Sequence, residues 1–201
     1  MKQRNVRFAK KAPDTAGDVW TWVAICADTK LVPSWLVGDR SGDTAIRFVC
    51  DLSGRLANRV QVTTDGHRAY LEAVEAAFGA DVDYAQLIKL YGEAPHPAGR
   101  YSPAQIQGTK TFYCTGDPDP KRISTSYVER QNLTMRMNMR RFTRLTNAFS
   151  KKADNHAHAV SLHYMHYNFV RIHRSLRVTP AMAANVTDHL WSIEDIATMI
   201  D

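Results

Sequence analysis

The sequence predicts an α/β fold with a mixed sheet flanked by helices, and three observations carry that prediction. Short apolar or alternating runs of strand length recur along the chain. Between them lie segments with apolar residues at helical spacing. Their order is strand, strand, helix, strand, helix, strand, loop, helix, helix, which mixes the two element types instead of segregating them. At 201 residues, 44% hydrophobic and 23% charged, the chain has the size and composition of a globular domain with a real core. The expected organisation is a basic polar segment over 1–17, a domain over 18–184, and a tail over 185–201.

Val19 to Cys26 is apolar on both alternating faces, as in a strand covered on both sides. Asp28-Thr29-Lys30 supplies a turn, and Leu31 to Val37 reads as a second strand closed by Gly38, with a frayed start because Pro33 has no N–H. Ala45, Phe48, Val49, Leu52 and Leu56 form one helical stripe that Ser41 can cap. Val60 to Thr64 reads as a short strand ending in Asp65-Gly66. The next helix turns Tyr70, Val74, Ala77 and Phe78 to one side and stops at Gly79. Val82 to Leu90 is most like a strand. Over 92–122 five of the eight prolines and four glycines collect, which predicts a long loop insertion. After it, Ser124 or Ser126 can cap a long helix with Val128, Met135, Met139, Phe142 and Phe149 inward. A last helix over Asp154 to Val170 turns Ala157, Val160, Tyr164 and Tyr167 inward.

Net charge is +6, and its distribution says more than its total. From Arg130 to Lys152 there are seven basic residues (Arg130, Arg136, Arg140, Arg141, Arg144, Lys151 and Lys152) and no acidic one. Such a run fits a solvated helix face, but the excess of arginine and the aromatics that follow it suit phosphate contacts. No apolar run reaches the ~18 residues of a membrane span, and the basic start has no apolar stretch behind it, so no secretory signal is expected. Cys26, Cys50 and Cys114 are far apart and unpaired in pattern, which excludes a disulfide framework and a Cys-rich zinc site. A cytoplasmic, nucleoid-associated protein is expected.

Two carboxylates stand out. Asp65 ends a strand and Glu129 begins a helix, the places where α/β folds collect ligand-binding groups. Brought together, they could bind Mg²⁺, a hard cation that takes oxygen ligands. Two such ions, roughly 3.5–4 Å apart, would activate a nucleophilic oxygen and stabilise the leaving oxygen of a phosphodiester. Glu129, Asn132, Arg136 and Arg140 are offset by 3, 7 and 11 residues, which returns them to nearly one helix face. Plainer readings exist: Asp-Gly is an ordinary turn dipeptide, and the helix dipole favours a first-turn Glu.

Thr63-Thr64-Asp65-Gly66-His67, followed by Ser124-Thr125-Ser126-Tyr127-Val128-Glu129-Arg130-Gln131-Asn132 and the basic run, resembles the insertion-sequence-one family of bacterial transposases. Tyr167 to Leu176, with Thr179-Pro180, is similar to the tail of many DDE transposases and integrases. The likeness covers nearly the whole chain from about Gly17. It implies an RNase H-like fold, a DDE site holding Mg²⁺ or Mn²⁺, and cut-and-join chemistry on transposon ends and target DNA. On that match Asp65 takes the second acidic position and Glu129 the third. Arg136 fits the basic position downstream, and Arg130, Arg140, Arg141, Lys151 and Lys152 join it as DNA contacts.

The departure is at the front. The family's first aspartate lies on the opening strand, and Asp14, Asp18 and Asp28 all fit it poorly. The expectation is an internal start that lacks the first strand, with little activity from this chain alone. A homo-oligomer or a full-length transposase is the expected protein partner. Two rivals share the basic surface: a non-catalytic DNA-binding modulator of transposition, and an RNase H-like nuclease.

His156, His158, His163, His166 and His173 cluster late in the chain. Without Cys partners or a His-Glu-x-x-His pattern they predict packing or phosphate contacts before zinc. Trp20, Trp22 and Trp35 are expected in the core.

Overall fold

The computed structural model describes residues 19–92, 106–142 and 152–199, and the architecture is mixed α/β. The chain divides into two compact units, one of residues 1–44 with 127–201 and one of Ala45–Ser126.

The first unit opens with an antiparallel pair, β1 (Trp20–Val23) and β2 (Trp35–Gly38), in register from Trp20 opposite Gly38 to Val23 opposite Trp35. The pair continues past β1 through Ala24 N–H to Ser34 O and Cys26 N–H to Leu31 O, but regular strand begins only after Pro33. The frayed start is therefore as expected. The covering on both faces is not: Trp22 is buried, whereas Trp20 is exposed beneath Arg40, whose guanidinium lies 4.8 Å from the ring centroid. Edge placement on a two-stranded ribbon leaves Trp20 a cation–π partner instead of a core.

Helix α1 (Gly42–Ser53) starts in this unit and continues into the other. Ser41 Oγ accepts from Thr44 N–H at 3.3 Å, the expected cap. Behind it the Asp39 carboxylate accepts from Ser41 N–H and from the hydroxyls of Ser41 and Thr44. Those bonds hold its carboxyl down at about 2.

In the second unit, β3 (Val60–Thr64) pairs in parallel with β4 (Val82–Tyr91), and α2 (Ala69–Phe78) makes the crossover. Gly79 ends α2, the stop expected of it, at φ 53° and ψ −123°, a positive-φ conformation that glycine adopts without strain. Ala45, Phe48, Val49, Leu52, Ala73, Val74, Val82, Tyr84 and Ala85 are among this unit's buried apolar side chains.

The expected loop over 92–122 is corrected by β5 (Ile106–Thr115), which lies antiparallel to β4 and completes the sheet order β3-β4-β5. All five prolines of the stretch fall outside 106–115, and the strand itself is rich in threonine. Its polar, mostly exposed faces carry no apolar alternation, so propensity was the only signal. Residues 93–105 lie outside the described ones.

Back in the first unit, α3 (Ser126–Asn138) ends earlier than expected. Met139 breaks it, a 3-10 turn follows at Arg140–Phe142, and Phe149 lies outside the described residues. Helix α4 (Ala153–Met165) runs into a π-helical turn at His166–Val170, closed by Arg171 N–H to His166 O at 2.9 Å. The wider turn lets two consecutive residues, Tyr167 and Asn168, both face inward. Asn168 uses that position: its Oδ1 accepts from Val32 N–H at 3.0 Å and its Nδ2 donates to Val32 O at 2.8 Å.

Around this bridge Val32, Met135, Met139, Val160, Tyr164 and Tyr167 form the core, with Trp35, Val37, Phe142 and Ala159 against it. Short helices α5 (Pro180–Ala183) and α6 (Ile193–Thr198) follow, capped by Thr179 and by a Ser192–Asp195 capping box. Among the described residues no helix is long and apolar enough to cross a membrane.

Candidate functional site

Asp65 is the first residue beyond the carboxyl end of β3, where a parallel α/β sheet leaves room for a ligand. Its side chain is exposed, and Oδ1 accepts from His67 N–H at 3.1 Å, so the turn is closed by the carboxylate itself. Beneath it runs a chain of hydrogen bonds with one consistent direction. Gln86 Nε2 donates to Tyr84 Oη at 2.9 Å, Tyr84 Oη and Thr64 Oγ1 share a bond at 2.9 Å, and Thr64 Oγ1 donates to Asp65 O at 2.9 Å. Gln86 Nε2 also lies 3.4 Å from His67 O. Tyr84 and Gln86 are both buried, and burial pushes the Tyr84 hydroxyl up to about 12, so it stays protonated as a donor. Such a chain polarises along its length and fixes the turn.

Gly66 is more than a turn residue. A Cβ there would stand 2.6 Å from Ile88 Cγ1 on β4, so any other residue would force the Ile88 side chain or the turn to shift. Nothing in the local sequence announced Tyr84 or Gln86 as supports for Asp65. The one available hint was a glutamine inside the otherwise apolar run Tyr84 to Ile88.

Glu129 sits in the first turn of α3 with an exposed side chain, as expected. It belongs to the first unit and Asp65 to the second. Asn132, half-buried, and Arg136, exposed, follow at offsets of 3 and 7 on the same helix. Arg140 does not continue that face, because α3 has ended and Arg140 lies in the 3-10 turn. Gln131, not expected in the core, is buried beside Met135 and leaves Val128 half-buried. Arg130, Arg140 and Lys152 are exposed and Arg141 is half-buried, while Arg144 and Lys151 lie outside the described residues.

His156 and His163 behave as packed groups, whereas His158 and His166 are exposed. His156 is buried edge-on against Phe142, with ring centroids 5.0 Å apart, and burial lowers its pKa. His163 packs against Tyr164 at 5.1 Å, and burial, then the charges of His166 and Arg171, brings it to about 4. Among the described residues no group of three or more His, Cys, Asp or Glu side chains is arranged to hold a metal ion. Carboxylate oxygens such as those of Asp65 are nonetheless the donors that Mg²⁺ or Mn²⁺ would take.

Set against family models, curated proteins and solved structures, the chain matches none.

Proposed function

We propose that this chain is catalytic-domain sequence of a DDE-type DNA transposase, with an RNase H-like fold and a resemblance to the insertion-sequence-one family. The observation that carries the proposal is the setting of Asp65. It stands at the end of a parallel strand inside Thr63-Thr64-Asp65-Gly66-His67, its turn tied through Thr64 to the buried Tyr84–Gln86 pair while its carboxylate faces solvent. A purely structural Asp-Gly turn needs no such support. Glu129, opening a helix within Tyr127-Val128-Glu129-Arg130-x-Asn132, takes the third acidic position of the motif.

On this proposal Asp65 and Glu129 are the carboxylates assigned to Mg²⁺ or Mn²⁺. The metal, when bound, would supply activation of the attacking oxygen and stabilisation of the leaving one. The chain's own residues then have distinct tasks. Tyr84, Gln86 and Thr64 keep Asp65 in position, and Arg130, Arg136, Arg140, Arg141, Lys151 and Lys152 grip DNA backbone at transposon ends and target.

A Mn²⁺ titration of the whole chain, followed calorimetrically, tests the assignment and separates it from a non-catalytic DNA-binding modulator. Asp65→Asn and Glu129→Gln should each weaken metal binding about tenfold or more while leaving metal-free DNA binding in place. Metal affinity that neither substitution changes would leave the modulator as the better account.

A further inference from the structure

From Arg130 to Thr187 the sequence holds ten arginines and lysines against a single carboxylate, Asp154. The last three of these cations, Arg171, Arg174 and Arg177, recur at every third residue and are all exposed. They ride on a tight loop. His173 N–H donates to Val178 O at 2.9 Å, and Leu176 N–H and Arg177 N–H both donate to His173 O, at 3.1 and 2.8 Å. Ser175 Oγ and the His173 ring share a further bond at 3.0 Å.

Two backbone outliers mark this place. Among the described residues three that are not glycine have positive φ, and two of them are cations, Arg177 at 62° and Lys30 at 60°. Glycine adopts that conformation without steric conflict, so a long cationic side chain kept there points to a use for the side chain. Lys30 is also pinned: its ammonium donates to Ala27 O and lies 4.3 Å from the centroid of the Tyr127 ring. Burial, and then the charges of Lys30 and Arg171, lower the pKa of His173, which makes that ring a reporter of positive potential at the loop. Among the described residues none of the three arginines is engaged in an ion pair.

We propose that Arg171, Arg174, Arg177 and Lys30 form a second binding site for the phosphodiester backbone of duplex DNA, separate in sequence from the Arg130–Lys152 run. Arginine suits the task because its planar fork bonds phosphate oxygens in pairs and is always charged. A loop closed by its own hydrogen bonds presents those forks without having to be ordered on binding. The proposal rests on DNA being the partner but not on catalysis, so it can fail or stand separately from the transposase assignment.

The test is fluorescence anisotropy of the full chain with a labelled duplex in EDTA, across salt from about 50 to about 200 mM. The magnitude of the log–log salt slope should fall by ~0.9 for each cation removed, so by ~2.7 in Arg171→Ala/Arg174→Ala/Arg177→Ala. Arg177→Gly is the decisive single change. It relieves the left-handed backbone, so the thermal midpoint should hold or rise while DNA affinity falls. Arg177→Lys should keep the slope.

A triple variant with unchanged slope and affinity overturns the proposal. If Arg130→Ala/Arg136→Ala lowers the slope in the same assay, DNA binding itself survives that result. No binding by the unaltered chain would remove both.

Discussion

Each unit is fastened by one side-chain carboxamide that bonds both the N–H and the C=O of a distant residue, and the two fasteners differ mainly in their solvent. In the first unit Asn168 grips Val32 across 136 positions of sequence, and both residues are buried. In the second, Gln61 Oε1 accepts from Asp119 N–H at 2.8 Å and its Nε2 donates to Asp119 O at 3.1 Å, across 58 positions and open to water. Charge divides the units as well. Nine basic residues balance nine acidic ones in Ala45–Ser126, so the whole +6 belongs to the other unit. The neutral unit carries the larger sheet and Asp65, and the cationic one carries Glu129 and both arginine-rich stretches. Bond pattern alone therefore says little about energy, because what water can replace is worth little.

The largest effect is expected where water cannot enter. Asn168→Ala leaves the N–H and C=O of Val32 buried without partners, at roughly 1–3 kcal/mol for each lost group and about 2–6 kcal/mol in all. All four tryptophans lie in the first unit, so their fluorescence in a urea titration reports that unit selectively. A loss below about 1 kcal/mol would mean that the buried bridge is no stronger than the exposed one.

Acid offers the second contrast. The three histidines with lowered pKa values, His156, His163 and His173, all belong to the first unit. His163 faces His166, Arg171 and the Tyr164 ring, none of which can stabilise its charged form as a carboxylate would. Its folded pKa of about 4 lies below the ordinary 6.5, so the unfolded chain takes up the proton first as pH falls. The stability it contributes is complete above pH 6.5 and is lost progressively down to about pH 4. Allowing for its partial exposure, that loss is about 1–2 kcal/mol. Tryptophan fluorescence should show the first unit weakening over this window, and His163→Gln should flatten the dependence. An unchanged pH profile in that variant would assign the acid response to other groups.

How legible each unit was follows the same division. In the second, apolar spacing located α1, β3, α2 and β4, because their partners are near in sequence and each element faces one core. It failed at β5, whose residues face water on both sides and leave no pattern to read. In the first unit the sequence marked Val160, Tyr164 and Tyr167 but not the π-helical turn that brings Asn168 inward beside Tyr167. That turn exists to reach Val32, a partner no local window contains. The site divides likewise. The carboxylates of Asp65 and Glu129 were legible as residues in motifs. Tyr84 and Gln86 were not, since their role depends on which strands pair.

The smallest effect completes the contrast. Gln61→Ala removes the same two hydrogen bonds as Asn168→Ala, but here Asp119 N–H and O are exposed and water takes both places. The expected cost is about 0.5 kcal/mol and below ~1 kcal/mol. Asp119 also accepts from Lys121 N–H through Oδ1 at 2.9 Å, so its own turn persists without Gln61. Hydrogen exchange at the amides of β3 and β4 should therefore change little, with faster exchange confined to Asp119. A loss near that of Asn168→Ala would show that the bidentate geometry, and not the exclusion of water, sets the strength of these bridges.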